Sequence, residues 1–433
     1  MGEFSFVHAA DIHLDSGFKG ISGMDERVGT CLRDATFSSF HAIIQYCITN
    51  QVDFLLISGD IYNEEDRSLR AQLRFQSEIA LLHQNGIQVY LVHGNHDSLK
   101  GWSAGLDYPP NVHIFGGKQV DAFLFEKEGV PLANIYGISF LTKDIRENLS
   151  DRFPMLRSQD ELFHIGLLHA NVGNNRDHEL YSPCTLPDLI SHQLDYWALG
   201  HIHANKILHE DPWIVYPGCP QGLNPKESGP KGFYHVTVHH GKCLEWQFIP
   251  SDTVRWFINE ISIRDLSSIE DLKRTFAEVI AQNRQKAESR PSLCRIVVKG
   301  RGVLTTILQR KDVLHDLLES LREMEIDEKD FVWVENIYNR TECEIDKELY
   351  RHQSSFLGDL IEQFDQIKQD KTSREQILSE LSSLFQSPIG KKYLALPDSD
   401  SEELFSLITE AENICLNQLQ SPLKVNSEEE REL

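Results

Sequence analysis

No stretch of this sequence approaches the ~20 uninterrupted apolar residues that span a bilayer, and no two cysteines are spaced C-x-x-C. The first absence removes membrane-spanning helices from consideration. The eight cysteines are scattered at positions 31, 47, 184, 219, 243, 294, 343 and 415, which argues against both a disulfide framework and a structural zinc site. The N-terminal run from Met1 to His13 has no basic start and no apolar signal core, so no secretion signal is expected. Phe6 stands where a myristoylation site needs Ser or Thr. Together these absences lead to the expectation of a reducing, cytoplasmic location without a membrane partner. Internal repeats and low-complexity tracts are also missing.

Basic residues are in short supply. Lys and Arg number 42 against 66 Asp and Glu, for a formal net charge of −24. The sum alone speaks against a nucleic-acid partner, but its distribution matters more. Residues 1–250 hold 30 acidic and 18 basic side chains, residues 251–340 hold 16 and 15, and residues 341–433 hold 20 and 9. The middle segment is therefore the basic part of an acidic protein. In the first segment several carboxylates fall in motifs that bound cations would neutralise. With 433 residues, 40% hydrophobic and 25% charged, the chain reads as globular and built of two or three domains.

The first hundred residues alternate strand and helix signals. Apolar runs of strand length cover 4–10, 52–58 and 87–92, and long amphipathic stretches cover 25–50 and 64–85. Parallel strands joined by helices imply right-handed crossovers and a layered α/β fold. Further core strands are expected over 134–140, 163–168 and 196–199, with 214–216 and 232–238 closing the sheets. After Pro250 a small module follows, with strands over 257–263, 294–298 and 331–337 and helices over 269–285 and 306–324. Beyond about residue 341 only helical periodicity remains, over 347–371, 373–385 and 402–419. A linker begins at Pro397, and 427–433 is a charged, frayed end. The expected division is a catalytic domain over 1–250, an αβ cap over 251–340 and an acidic helical region over 341–433.

Five polar clusters each follow an apolar strand-like run: Asp11-Ile-His13, Gly59-Asp60, Gly94-Asn95-His96-Asp97, His169-Ala-Asn171 and Gly200-His201-Ile-His203. In an α/β sheet the carboxyl ends of parallel strands share one edge, and ligands bind there. Alternation along an extended chain points both side chains of Asp11 and His13 the same way, and likewise His201 and His203. Glycines at 59, 94 and 200 permit the tight backbone needed where a strand ends beside a cation. A lone strand-end Asp or His is most often a cap or a surface residue, but five such clusters in this order are not. The donors are carboxylate, imidazole and one amide, with no thiolate, which suits Mn²⁺, Fe or Zn²⁺. Seven ligating side chains would be too many for one ion and right for two sharing a carboxylate. Two cations roughly 3.5–4 Å apart clamp the attacking and leaving oxygens of a phosphoryl displacement. Other histidines, among them His8, His93, His235, His239 and His240, read as core, surface or supporting residues.

These motifs in this order resemble the calcineurin-like metallophosphoesterases. Within them the chain resembles the SbcD-type DNA-repair exonuclease subunits, in their YhaO-like branch. Tyr216-Pro-Gly218-Cys-Pro220 followed by Lys231-Gly232-Phe233 is similar to that group's segment after the catalytic motifs, and the αβ module is similar to its DNA-capping domain. The resemblance implies a layered metallophosphoesterase β-sandwich flanked by helices. It implies one metal held by Asp11, His13, Asp60 and His203. A second would be held by Asp60, Asn95, His169 and His201, with Asp60 bridging and Mn²⁺ as the ion. His96 would be the non-ligating histidine that acts on the transition state or leaving oxygen, oriented by Asp97. Two positions depart from the pattern. Asn63 stands where the family nucleases have a histidine that helps exonuclease action, and Cys219 stands where serine is usual. The arginine signature GD-x-x-DRG of protein Ser/Thr phosphatases is missing after Asp60.

The leading expectation is a DNA exo- or endonuclease of DNA repair, its cap drawing DNA through residues such as Arg284, Lys286, Arg290, Arg295, Lys299 and Arg301. One alternative is a phosphodiesterase or phosphatase for small molecules such as cyclic nucleotides. Another is a protein that chiefly binds a partner within a larger complex. The resemblance implies a coiled-coil ATPase of the SMC type, docked on a helical face with Phe356, Leu357, Leu360, Ile361 and Phe364. It also implies homodimers formed through helices of the catalytic domain.

Overall fold

The structure, a computed structural model, describes residues 2–18, 26–63, 68–156, 161–173, 181–239, 243–342, 355–386 and 397–420. Outside the described residues lie the first residues of the helices expected from 25, 64 and 347, His240, and the charged end over 427–433. The chain divides into two compact units. One is Met1–Ile258 with Ile280–Arg295 and Leu321–Glu335, and the other is Asn259–Val279 with Ile296–Ser320 and Asn336–Leu433.

In chain order the elements to residue 250 are β1 (Phe4–Ala9), α1 (Glu26–Thr49), β2 (Phe54–Ser58), α2 (Leu69–Gln84), β3 (Gln88–Val92), β4 (Val112–Ile114), β5 (Asp121–Lys127), β6 (Val130–Ile138), β7 (Phe163–His169), α3 (Leu186–Ser191), β8 (Tyr196–Gly200), β9 (Lys206–Glu210), β10 (Trp213–Tyr216), β11 (Gly232–His239) and β12 (Cys243–Pro250). They build two six-stranded sheets, ordered β12-β11-β1-β2-β3-β4 and β5-β6-β7-β8-β10-β9. Within the first sheet β1, β2, β3 and β4 run parallel, and within the second β6, β7, β8 and β10 do.

Strand alternation sorts the side chains into layers. Phe4, Phe6, Phe54, Leu56, Tyr90 and Val92 face the second sheet's Ile135, Phe163, Ile165, Leu167 and Ala198 across a sandwich core. The intervening Val7, Leu55, Ile57, Val89 and Leu91 face Phe37, Phe40, Ile44, Phe75 and Ile79 of α1 and α2. A strand covered on both faces has no polar side, so FLLIS of β2 reads as an unbroken apolar run. The outer face of the second sheet packs Leu168, Trp197 and Ile214 against Phe153 and Leu189.

Beyond residue 250 come β13 (Arg255–Ser262), α4 (Ile269–Lys286), β14 (Ser292–Arg301), α5 (Thr305–Leu308), α6 (Lys311–Glu325), β15 (Val332–Glu342), α7 (Phe356–Gln369), α8 (Lys371–Gln386) and α9 (Glu402–Gln420). The three strands form one sheet, ordered β13-β14-β15. The single helix expected over 306–324 is broken into α5 and α6. The Leu308 carbonyl, which a continuous helix would bond four residues on, instead accepts from the Asn339 side chain at 2.7 Å. Among the described residues no helix is long and apolar enough to cross a membrane, and Cys31, Cys47, Cys184, Cys219, Cys294 and Cys415 are free thiols.

Candidate metal centre

Five strands deliver the polar clusters to one place. Asp11 and His13 follow β1, Asp60 follows β2 and Asn95 and His96 follow β3. From the second sheet, His169 ends β7, and His201 and His203 follow β8. The two sheets are stitched together where they meet. The Asp11 carboxylate accepts the His201 backbone N–H at 3.0 and 3.1 Å, and the His169 Nδ1–H donates to the Ser58 carbonyl at 2.9 Å. Asp11 N–H and His13 N–H donate to the carbonyls of Gly59 and Asp60, both at 3.0 Å. The glycines are there for clearance. A Cβ on Gly94 would lie 2.3 Å from Asp60 Oδ1, and one on Gly200 only 1.9 Å from the Ser58 carbonyl oxygen.

Sequence patterning missed the backbone at these positions. Asp11, His13, Asp60 and His201 have φ of 51°, 45°, 52° and 101°, a region that side-chain-bearing residues avoid. Strain concentrated on four residues of one site marks it as a place where geometry outranks local stability.

The acceptor atoms converge. His203 Nε2 lies 3.3 Å from His13 Nε2. His169 Nε2 lies 3.0 Å from Asn95 Oδ1 and 3.3 Å from Asp60 Oδ2. Asp11, His13 and His203 group together, as do Asp11, Asp60 and His169, with ligand atoms within 4.8 Å of one another in each set. All these residues except His203 are buried. Burial and the neighbouring His203 push the His13 ring down to about 3. Burial pushes the Asp11 carboxyl up. Burial would also raise Asp60, but the His169 charge and hydrogen bond hold it well below the usual carboxylate range. His169 moves up in turn, burial opposing and Asp60 prevailing. The donor set of imidazole, carboxylate and amide without thiolate fits divalent cations of the Mn²⁺, Fe and Zn²⁺ kind.

His96 stands at the rim, its ring 5.2 Å from that of His13 and its N–H donating to Asp60 Oδ1 at 2.9 Å. The expectation that Asp97 orients it needs correction. The Asp97 carboxylate is buried and ties its own loop to the one after β2, accepting from Gly94 N at 2.6 Å and Ile61 N at 2.9 Å and lying 3.2 Å from His93 Nδ1. The partner of His96 is Asn63, whose Oδ1 accepts from the ring's Nδ1–H at 2.9 Å. Glu227 was also missed. It ends a single 3-10 turn, Pro225–Glu227, too short to show periodicity, and its Oε1 accepts the His203 Nδ1–H at 2.8 Å. His8 is core: Tyr196 O–H donates to its Nδ1 at 3.1 Å, and its Nε2–H donates to Ser58 Oγ at 3.0 Å.

Four of the six basic residues expected to meet DNA form ion pairs within the chain. Arg295 forks onto Glu335 at 2.9 and 3.0 Å, Arg290 pairs with Glu288 at 2.8 Å, and Arg284 and Lys299 pair with Glu325 and Glu260. Of the apolar face on α7, Ile361 is buried and Phe364 packs against the cluster of Leu378, Leu404 and Ile408, whereas Phe356 is exposed.

The fold and the convergent donors define a calcineurin-like phosphoesterase, and the description of that family matches residues 4–205. A second description, the middle domain of metallophosphoesterase YhaO, matches residues 256–342. The chain is 34% identical over 415 residues to the metallophosphoesterase YhaO of Bacillus subtilis (strain 168), covering 96% of this chain and 97% of that one. It belongs to the YhaO-like family of calcineurin-like metallophosphoesterases. At lower identity it is similar to the DNA double-strand break repair protein Mre11 of Thermoplasma acidophilum, 22% over 368 residues, covering 82% of this chain and 90% of that one. It is also similar to a component of the SbcCD nuclease of Escherichia coli (strain K12), 24% over 271 residues, covering 54% and 65%.

Proposed function

We propose that this metallophosphoesterase is a two-metal phosphodiesterase that takes Mn²⁺ and cleaves DNA. In this reading residues 1–250 are catalytic, 251–340 form a cap, and 341–433 dock an SMC-type ATPase in the cytoplasm. The observation that carries the two-metal part is the convergence of acceptor atoms from five strand ends, with Asp60 Oδ2 lying 4.0 Å from His13 Nε2 on one side and 3.3 Å from His169 Nε2 on the other. One ion is assigned to Asp11, His13, Asp60 and His203, and the other to Asp60, Asn95, His169 and His201. When bound, such ions supply Lewis acidity and lower the pKa of water towards neutrality.

The chain's own residues do the rest. Asp60, held ionised, is the shared carboxylate. Asn63 holds Nδ1 of His96 and so turns Nε2 towards the site, where the ring handles the proton of the leaving oxygen. DNA as substrate is supported by the similarity to Mre11 and to the SbcCD nuclease. A second reading, hydrolysis of a small diester such as a cyclic nucleotide, is favoured by the ion pairing of Arg284, Arg290, Arg295 and Lys299. The test is digestion of end-labelled linear duplex and closed circular DNA with Mn²⁺ and with chelator, beside a cyclic nucleotide. Metal-dependent DNA cutting supports the nuclease. Intact DNA with a hydrolysed cyclic nucleotide moves the function to the second reading.

A further inference from the structure

Glu227 lies 24 residues beyond His203, in the loop between β10 and β11, and carries none of the strand-end motifs. Its carboxylate is nonetheless built into the site. Oε1 accepts the Nδ1–H of His203 at 2.8 Å and the Asn224 Nδ2–H at 2.7 Å, and Oε2 accepts the Leu223 N–H at 2.7 Å. The side chain is only 12% exposed. The same loop system grips the other end of His203. Its carbonyl accepts from buried Lys231 Nζ at 3.0 Å and from Cys219 N–H at 3.3 Å. Gly218, with φ of 78°, makes room, since a Cβ there would lie 2.8 Å from that carbonyl oxygen.

We propose that Glu227 is a positioning residue for the metal centre, fixing the ring orientation and tautomer of His203 so that Nε2 is offered as a ligand. An imidazole that gives Nδ1–H to a carboxylate keeps its proton on that nitrogen and presents a more basic lone pair on Nε2. Without that acceptor the ring is free to carry its proton on Nε2, which cannot ligate. Lys231 completes the arrangement by fixing the backbone from which the ring projects. The ligand atoms of His203, Cys219 and Glu227 lie within 4.8 Å of one another, which raises the alternative that this trio holds an ion itself. Two facts oppose that. The His203 Nδ1–H is already given to Glu227, and the Cys219 S–H is already given to the His203 carbonyl at 3.6 Å.

The inference rests on the two-metal reading, and its test reads metal binding apart from catalysis. Mn²⁺ is titrated calorimetrically into the full chain, as wild type, Glu227→Gln, Glu227→Asp and Cys219→Ser, with thermal unfolding of each metal-free chain alongside. The expected result is two ions in the wild type, with Glu227→Gln weakening one of them by about 10–100-fold and leaving the other. Glu227→Asp should recover part of the loss, and metal-free melting should stay unchanged. Unchanged affinities in Glu227→Gln would overturn the proposal. So would equal weakening of both ions together with a lowered metal-free melting point, which marks a purely structural loop contact. A third wild-type ion that Cys219→Ser removes would overturn it in favour of a metal site at the trio. A wild type that takes up no Mn²⁺ fails before any variant is compared, and that outcome sinks the two-metal reading itself.

Discussion

His13 and His203 aim their Nε2 atoms at one another across 3.3 Å, from two different sheets. Two imidazole nitrogens stay that close only with a proton or a metal ion between them. His203 is set for this by Glu227 at its far nitrogen, while His13, pushed down by burial and by His203, stays neutral. The pair thus brings two potential ligand nitrogens from different sheets to one point.

Stability should therefore depend on metal. A ligand that binds only the folded chain stabilises it by about 2.7 kcal/mol at a hundred times its dissociation constant. Differential scanning calorimetry should show melting several degrees higher in Mn²⁺ than in chelator. Identical melting points would show that the convergent groups hold no ion.

Asn63 should govern rate but not metal content. Asn63→Ala frees the His96 ring, and acid–base groups of this kind contribute about 10²–10⁴-fold. A drop in kcat near the lower end of that range is expected, with unchanged Mn²⁺ stoichiometry. Loss of bound metal in this variant would show that Asn63 supports ligands rather than His96.

Gly200→Ala tests the meeting of the sheets. Its Cβ would fall 1.9 Å from the Ser58 carbonyl, backbone on both sides, so no side chain can swing away. A cost of about 3 kcal/mol or more is expected from such overpacking, read by denaturant unfolding, with weakened metal binding. A variant of wild-type stability would mean that β2 and β8 are further apart than described.

His8 should make the fold acid-sensitive. Burial lowers its pKa from 6.5 to about 3, and the neutral ring bridges Tyr196 and Ser58. Above pH 6.5 both folded and unfolded states leave it neutral. As pH falls from 6.5 towards 3 the unfolded chain takes up a proton that the folded one refuses. Stability is then lost at about 1.4 kcal/mol per pH unit. In His8→Gln the slope of unfolding free energy against pH, measured between pH 6 and 4, should be shallower by about one proton. An equal slope would assign the acid sensitivity to other groups.

What could be read from the sequence follows from burial. β1, β2, β3, β7 and β8 are covered on both faces and announce themselves as apolar runs, so the clusters after them could be placed at one sheet edge. The four strands without a sequence signal, β4, β5, β9 and β12, are the edges of the two sheets. An edge strand such as β5, with exposed Ala122 and Leu124, need not keep an apolar face. The role of Asp97 is not legible because adjacency in sequence is not adjacency in space. The loop turns it back onto Gly94 while Asn63, 33 residues earlier, reaches His96. Glu227 could not be read at all, because a single carboxylate in a loop has no pattern and only the folded chain brings it to His203.

The most direct test of the metal centre is anomalous diffraction from crystals soaked in Mn²⁺. Two peaks roughly 3.5–4 Å apart are predicted, one against Asp11, His13 and His203, the other against Asn95, His169 and His201, with Asp60 touching both. A single peak, or a peak placed away from Asp60, would contradict the two-metal centre.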